Sequence, residues 1–351
     1  MANNAPPDAF QNDQWTTAVH LLGYDGFARQ AIDIIRKATP PFAMTIGGRW
    51  GAGKTSMLRT LMRALGGKEL VAQGTVFSIR ETWPGPISAN LEVPHDQLKK
   101  IKTVWFNPWQ YQHEPHPLIP LLHEIREQLT PVSKITNNLT QKTDVVIEAG
   151  IHALNGMIQD ISAKFGLSNT FKDFAKHVSD ARQRQEKEHF SGLLNAQRFH
   201  LQFEKAVLQL VNAGREDTRA RLVIFIDDLD RCHHKTAFDL LESIKLYLAS
   251  RFCVFVFGLD RVHVEAAVEK AGGYSRQEAA QYVEKLFQVR LHLPTPSQEQ
   301  LSTFIQGIMP PEWEEKYATF LSRILPPNPR AIKNYLKEIR ICSCRISSPC
   351  H

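Results

Sequence analysis

Short apolar runs alternate along this chain with stretches of helical period. Residues 43–46, 101–106, 222–226 and 252–257 are near-continuous apolar runs of strand length, the pattern of strands covered on both faces. Residues 290–293 read as an edge strand stopped by Pro294 and Pro296. Between these runs Met57, Leu58, Leu61, Met62 and Leu65 repeat at helical spacing, and residues 27–37, 237–249 and 262–271 read as further helices. The alternation predicts an α/β fold, a three-layer sandwich with a mostly parallel central sheet.

Other segments interrupt it. Residues 66–100 are loop-rich, with prolines crowded into 84–94, and Asn107-Pro108-Trp109-Gln110-Tyr111 ends the second strand in a rigid aromatic corner. From 131 to 190 the chain is polar and helical, which predicts a helical insertion whose charges, such as those of 180–189, form a solvated face. The expected division is therefore a flexible N-terminus (1–14), a first core part (15–130), the insertion (131–190), a second core part (191–295), a C-terminal helical region (296–340) and a tail (341–351).

The first strand and its helix are joined by Gly48-Arg49-Trp50-Gly51-Ala52-Gly53-Lys54-Thr55-Ser56, which contains a full G-x-x-x-x-G-K-T loop. Gly48, Gly51 and Gly53 let the backbone curl so that N–H groups converge on an anion, and the helix start adds its positive dipole end. In that frame Lys54 reaches the outer phosphates of a nucleotide and the Thr55 hydroxyl ligates Mg2+. Residues 48–56 are the candidate phosphate-binding set.

Asp227, Asp228 and Asp230 follow the strand 222–226, at the carboxyl end where open parallel sheets bind ligands. Asp227 is placed to hold Mg2+, and Asp228 to polarise an attacking water. The next strand ends in Asp260-Arg261. Asp260 is either a phosphate sensor or, preferably, the cap of the following helix. Arg261 either joins that helix start or reaches a neighbouring subunit, and Arg231 is a second candidate for such a reach. Pro329 opens a helix whose first turn holds Arg330, from which an arginine can swing onto phosphates. Residues 22–27 are either a base pocket or plain packing.

With 351 residues, 43% of them apolar, the chain can build one large core or two ordinary ones. A net charge of +6, with basic residues scattered among 36 acids, permits a nucleic-acid partner without demanding one. Five cysteines, an odd number, and a start without a secretory pattern fit a reducing cytosol. No apolar run approaches the roughly 18 residues of a membrane-spanning helix. Cys342, Cys344, Cys350 and His351 lack the paired spacing of a zinc site, and the tail stops without a helix-end signal, as a chain that runs on would.

Six motifs, in order, resemble the KAP family of P-loop NTPases, in the additional-strand division that also holds AAA+ and STAND proteins. They are GRWGAGKTS, FNPWQY at 106–111, IDDLDRC at 226–232, FGLDR at 257–261, YVEKLFQV at 282–289 and NPRAIK at 328–333. The resemblance implies ATP and Mg2+ bound by Lys54, Thr55 and Asp227, a hydrolytic role for Asp228 and a sensor-like role for Arg330, and it raises Trp109 above generic packing. No N-K-x-D motif follows a buried strand, which favours ATP over GTP. The function expected is an ATPase switch that self-associates and meets a protein partner through the insertion or the C-terminal region. Many relatives carry membrane helices in the insertion; this one lacks them, which leaves a cytoplasmic protein, at most peripheral at the inner membrane face. Soluble relatives resemble ATPases of bacterial defence loci. A nucleotide-gated scaffold and a nucleic-acid-dependent translocase are the alternatives.

Overall fold

A computed structural model describes residues 22–67, 69–73, 76–80, 87–94, 98, 100–130, 142–164, 192–212, 219–247, 249–309 and 315–346. Its strands are β1 (Phe42–Gly47), β2 (Glu69–Gln73), β3 (Val76–Arg80), β4 (Ile101–Phe106), β5 (Arg221–Ile226), β6 (Cys253–Leu259) and β7 (Val289–His292). Five of them form a parallel sheet in the order β4-β5-β6-β1-β7. The helices are α1 (Asp25–Lys37), α2 (Lys54–Ala64), α3 (Leu118–Leu129), α4 (Lys142–Lys164), α5 (Gly192–Asn212), α6 (His234–Tyr247), α7 (Arg261–Gly272), α8 (Arg276–Leu286), α9 (Gln298–Ile308), α10 (Glu315–Ile324) and α11 (Pro329–Ile346).

The apolar runs are unbroken because the central strands are buried on both faces. On β5, Leu222, Ile224 and Ile226 enter one apolar cluster while Val223 and Phe225 enter the other, and β6 divides its residues in the same way. The first cluster is closed by α3 to α8, through residues such as Leu122, Phe203 and Leu240; the second by α1, α2 and α9 to α11, through Ile32, Leu58 and Ile332. The result is the three-layer α/β sandwich with a parallel sheet that the periodicity predicts. β7 lies at the edge, beside β1.

Strand order brings the chemistry together. β6 lies between β1 and β5, with Gly47 opposite Leu259 and Ile226 opposite Phe257. The loop after β1, the acids after β5 and Asp260 after β6 therefore emerge side by side at the carboxyl end of the sheet. Elsewhere, buried Arg221 donates from Nη1 to the carbonyls of Ile35 (2.7 Å) and Ala38 (3.1 Å), satisfying the end of α1 from the first residue of β5.

Two stretches differ from expectation. Within the segment expected to be loop-rich, β2 and β3 pair antiparallel from Glu69–Arg80 to Gln73–Val76. Val71, Val76 and Ile79 favour strand, and the downstream prolines do not reach that far back. α11 continues to Ile346, into the stretch expected as a tail. In the expected insertion, α4 seats Leu154, Met157 and Ile161 in the cluster that holds Phe106. Residues 1–14, the charged run 180–189, and Cys350 and His351 lie outside the described residues. No helix among the described residues is long and apolar enough to cross a membrane.

Candidate functional site

β1 carries the chain to Gly48, and α2 begins at Lys54. Gly51 (φ 81°) and Gly53 (φ 101°) adopt the left-handed conformation that glycine enters without a Cβ penalty. Gly48 does not share it: a Cβ there would meet that of Ala52 at an ordinary 3.5 Å, so two glycines, not three, make the curl. Gly53 caps α2 without a side-chain bond, leaving the first N–H groups of the helix for an anion. The buried Lys54 ammonium donates to the Gly48 carbonyl (2.9 Å) and pairs with Asp230 Oδ2 (3.4 Å). Asp230 Oδ2 also accepts the backbone N–H of Asp260 (3.0 Å).

Asp227, directly after β5, is buried. Burial, reinforced by the neighbouring Asp228 charge, pushes its carboxyl up to about 7, against the pull of bonds from the Thr55 hydroxyl and the Asp228 backbone. Its Oδ2 is buried without a hydrogen-bond partner. An orphaned carboxylate oxygen beside a threonine hydroxyl is the oxygen set that a hard divalent cation takes, so Thr55 and Asp227 fit Mg2+. Gly258 on β6 keeps this corner open, since a Cβ there would come within 2.5 Å of Leu58 Cδ1 and 2.9 Å of Asp227 Oδ1. A glycine inside a strand signals such a close approach, and that signal was available in the sequence.

Asp228 has φ 57°, the one positive φ of a non-glycine among the described residues. Its Oδ2 accepts from Asn107 Nδ2 (3.1 Å), and its Oδ1 meets Arg231 Nε at 2.8 Å. Asn107 is fixed in turn, its Oδ1 accepting the Trp109 N–H at 3.1 Å. The aromatic corner after β4 thus holds the candidate water-polarising acid. Asn107 and Asp230 had no assigned role in the sequence reading.

On the opposite side, Asn328 ties the loop to α11. Its Nδ2 donates to the Trp50 carbonyl (2.8 Å), while its Oδ1 accepts from the Arg330 and Ala331 N–H groups. Pro329 is the first residue of α11, as expected, and Arg330 stands in its first turn with its guanidinium 5.7 Å from the Trp50 ring.

These elements surround an open cleft of about 600 Å3. Trp50, Gly51, Gly53, Lys54, Thr55 and Ser56 line it from the phosphate loop, and Asp228 and Arg330 from across it. Of the other loop residues, Gly48 acts through its carbonyl, Arg49 is exposed, and Ala52 N–H closes a turn onto the Arg49 carbonyl (3.1 Å). Asp260 lines the cleft and also caps α7, its Oδ1 accepting from Val262 N–H (3.1 Å), which is the preferred of its two readings. Arg261 pairs with Glu265 on its own helix. Leu22 and Tyr24 belong to the core cluster with Leu301 and Phe304; the Tyr24 hydroxyl, pushed up to about 12 by burial, donates to the Pro294 carbonyl. Among the described residues no cluster of three His, Cys, Asp or Glu is arranged to hold a metal.

The model of the KAP family P-loop domain matches residues 24–343. Among solved structures, the chain is similar to the Aeropyrum pernix ORC2 protein in ADPNP–ADP complexes, with TM-score 0.42 and 11% identity over 96% of this chain and 65% of that one. It is also similar to Drosophila ORC bound to DNA, with TM-score 0.39 and 10% identity over 100% of this chain and 67% of that one. It therefore spans less than two thirds of the Aeropyrum chain. No curated protein matches.

Proposed function

Since this chain belongs to the KAP family of P-loop domains, and so binds nucleotide, we propose that it binds ATP with Mg2+ and hydrolyses the terminal phosphate to drive a conformational or assembly switch. The observation that carries the reading is the unpartnered, buried Oδ2 of Asp227 beside Thr55 in the open first turn of α2. Bound there, Mg2+ supplies charge neutralisation at the outer phosphates.

The chain's own groups do the rest. Lys54 exchanges its contact with Asp230 for the incoming phosphates. The N–H groups of the loop and of α2 hold them in line. Asp228 accepts a proton from water as the water oxygen attacks the γ-phosphorus; the bond from that phosphorus to the β–γ bridging oxygen breaks, releasing ADP and inorganic phosphate. Arg330, above the loop, is proposed to sense the nucleotide and to pass its presence to α11. Self-association, and a partner met through the insertion or the C-terminal helices, complete the proposed switch. A bacterial defence or membrane-peripheral setting rests on family resemblance alone.

A second reading, a nucleotide-gated scaffold, is favoured by one observation: both carboxylate oxygens of Asp228 are already engaged. The deciding experiment is ATP turnover by wild type and Asp228→Asn across a protein concentration series, with and without duplex DNA. The hydrolytic reading expects turnover that falls by about 100- to 10,000-fold in Asp228→Asn while Mg-ATP binding persists. Tight binding with no turnover in the wild type would leave the scaffold. Salt-sensitive stimulation by DNA would point to a translocase.

A further inference from the structure

We propose that Arg231 is a positioning residue for Asp228 of its own chain, clasped between Trp50 and Trp109, and not an arginine delivered to a neighbouring subunit. The proposal rests on the hydrolytic reading of Asp228 above.

The clasp follows from local geometry. Leu229–Arg231 is a single tight turn, and the Arg231 N–H donates to the Asp228 carbonyl at 3.1 Å. Together with the left-handed φ of Asp228, this short turn returns the side chain three positions on over the carboxylate, where Nε meets Oδ1 at 2.8 Å. Asn107 takes the other oxygen, so both ends of the carboxylate are fixed.

The guanidinium is held in turn. Its carbon lies 5.6 Å from the Trp50 ring and 5.5 Å from the Trp109 ring, both within cation–π range. Trp50 belongs to the phosphate loop and Trp109 to the corner after β4, so Arg231 joins three separate segments around the acid. A planar guanidinium can stack on rings and donate from its edge at once, which an ammonium cannot. Arg231 also lines its own cleft, whereas Arg261 does not line it and pairs with Glu265 along α7. An arginine that completes a neighbour's site has to project away from its own.

Two measurements test this. In the first, Arg231→Ala chains are mixed with Asp228→Asn chains. Positioning within one chain expects the mixture to show only the average of the two turnover rates. A rate well above that average means that an intact Arg231 is completing a neighbour's site, and it overturns the proposal. In the same assay Arg231→Ala lowers kcat by about 100-fold, the cost of a misplaced catalytic group. KM for ATP stays within about threefold, and Arg231→Lys recovers only part of the loss. Equal loss in kcat and KM with full recovery by Lys would mark a general charge effect and sink the positioning role.

The second measurement needs no turnover. A double-mutant cycle between Arg231→Ala and Trp109→Ala, read as denaturation midpoints of the nucleotide-free protein, expects non-additive shifts. Additive shifts overturn the clasp. A wild type that binds ATP but never releases phosphate removes the hydrolytic reading and the positioning role together, whereas an active wild type with additive midpoints removes the clasp alone.

Discussion

Lys54, on the floor of the cleft, and Asp227, buried behind that floor against Thr55, are 9% and 2% exposed, whereas Trp50, on its rim, is 71% exposed. Floor side chains are fixed by hydrogen bonds and charges in a dry setting: Lys54 by the Gly48 carbonyl and Asp230, Asp227 by Thr55. Rim side chains add stacking to their polar contacts, with Arg231 and Arg330 both on Trp50. The same charge is worth more on the floor, because water and salt screen the rim. Under the proposed function the floor is therefore expected to set nucleotide affinity. The rim carries the coupling between segments.

The largest effect that sharpens this division is Lys54→Ala. It removes the cation meant for the phosphates and leaves the Asp230 carboxylate facing them. Truncating one partner of a buried, hydrogen-bonded charge pair costs about 2–5 kcal/mol, roughly 30- to several-thousand-fold in nucleotide Kd. Arg330→Ala, on the rim, should cost under about 1 kcal/mol, roughly fivefold. Calorimetric titration of both variants with Mg-ATP checks the pair, and equal losses would break the distinction between floor and rim.

Next in size is Gly51→Ala, which attacks the join between them. At φ 81° a Cβ would lie 2.4 Å from Asn328 Oδ1 and 3.0 Å from Arg330 Cβ, so either the Asn328 side chain gives up its bonds or α11 shifts away from the loop. A left-handed alanine in a closed contact should lower unfolding stability by about 1–3 kcal/mol. Gly26, inside α1 with no atom near its Cβ position, is the control. Gly26→Ala should be neutral or stabilise by up to about 1 kcal/mol. Denaturation midpoints of the two variants give the comparison, and equal behaviour would mean that the join bears no strain.

Floor and rim also differ in how far the sequence discloses them. The floor is local: Gly51, Gly53, Lys54 and Thr55 are contiguous, and Asp227 directly follows an unmistakable buried strand, so motif and period place them together. The rim is assembled from afar. The Asn328 bond to the Trp50 carbonyl spans 278 positions, and the Asn107 bond to Asp228 spans 121. Neither distance has a periodic signature. The direction of Arg231 turns on the φ of 57° at Asp228, which the general tolerance of aspartate for that region does not single out among three nearby aspartates, so the sequence alone left it free to point at a neighbour. The β2–β3 hairpin was missed because five-residue strands carry too few periods to outweigh the prolines that follow.

The last effect, over the pH range measured comparable at most with that of Gly51→Ala, tests whether the floor is dry. In the metal-free protein the Asp227 carboxyl titrates near 7, against 3.8 in the unfolded chain. Below about pH 4 both states hold the proton and the group contributes no difference; between about 4 and 7 the native state keeps a proton that the unfolded chain has lost. Stability should therefore fall as pH rises through that window and level off above it. The slope should be no steeper than about 1.4 kcal/mol per pH unit, the contribution of one proton. Urea midpoints taken in chelator at about pH 5 and about pH 8 measure it. Asp227→Asn, which keeps the shape and cannot ionise, should remove this component. A slope that survives the substitution would place the titrating group elsewhere, and an Asp227 that ionised freely would have to be wet, which would make the floor no different from the rim.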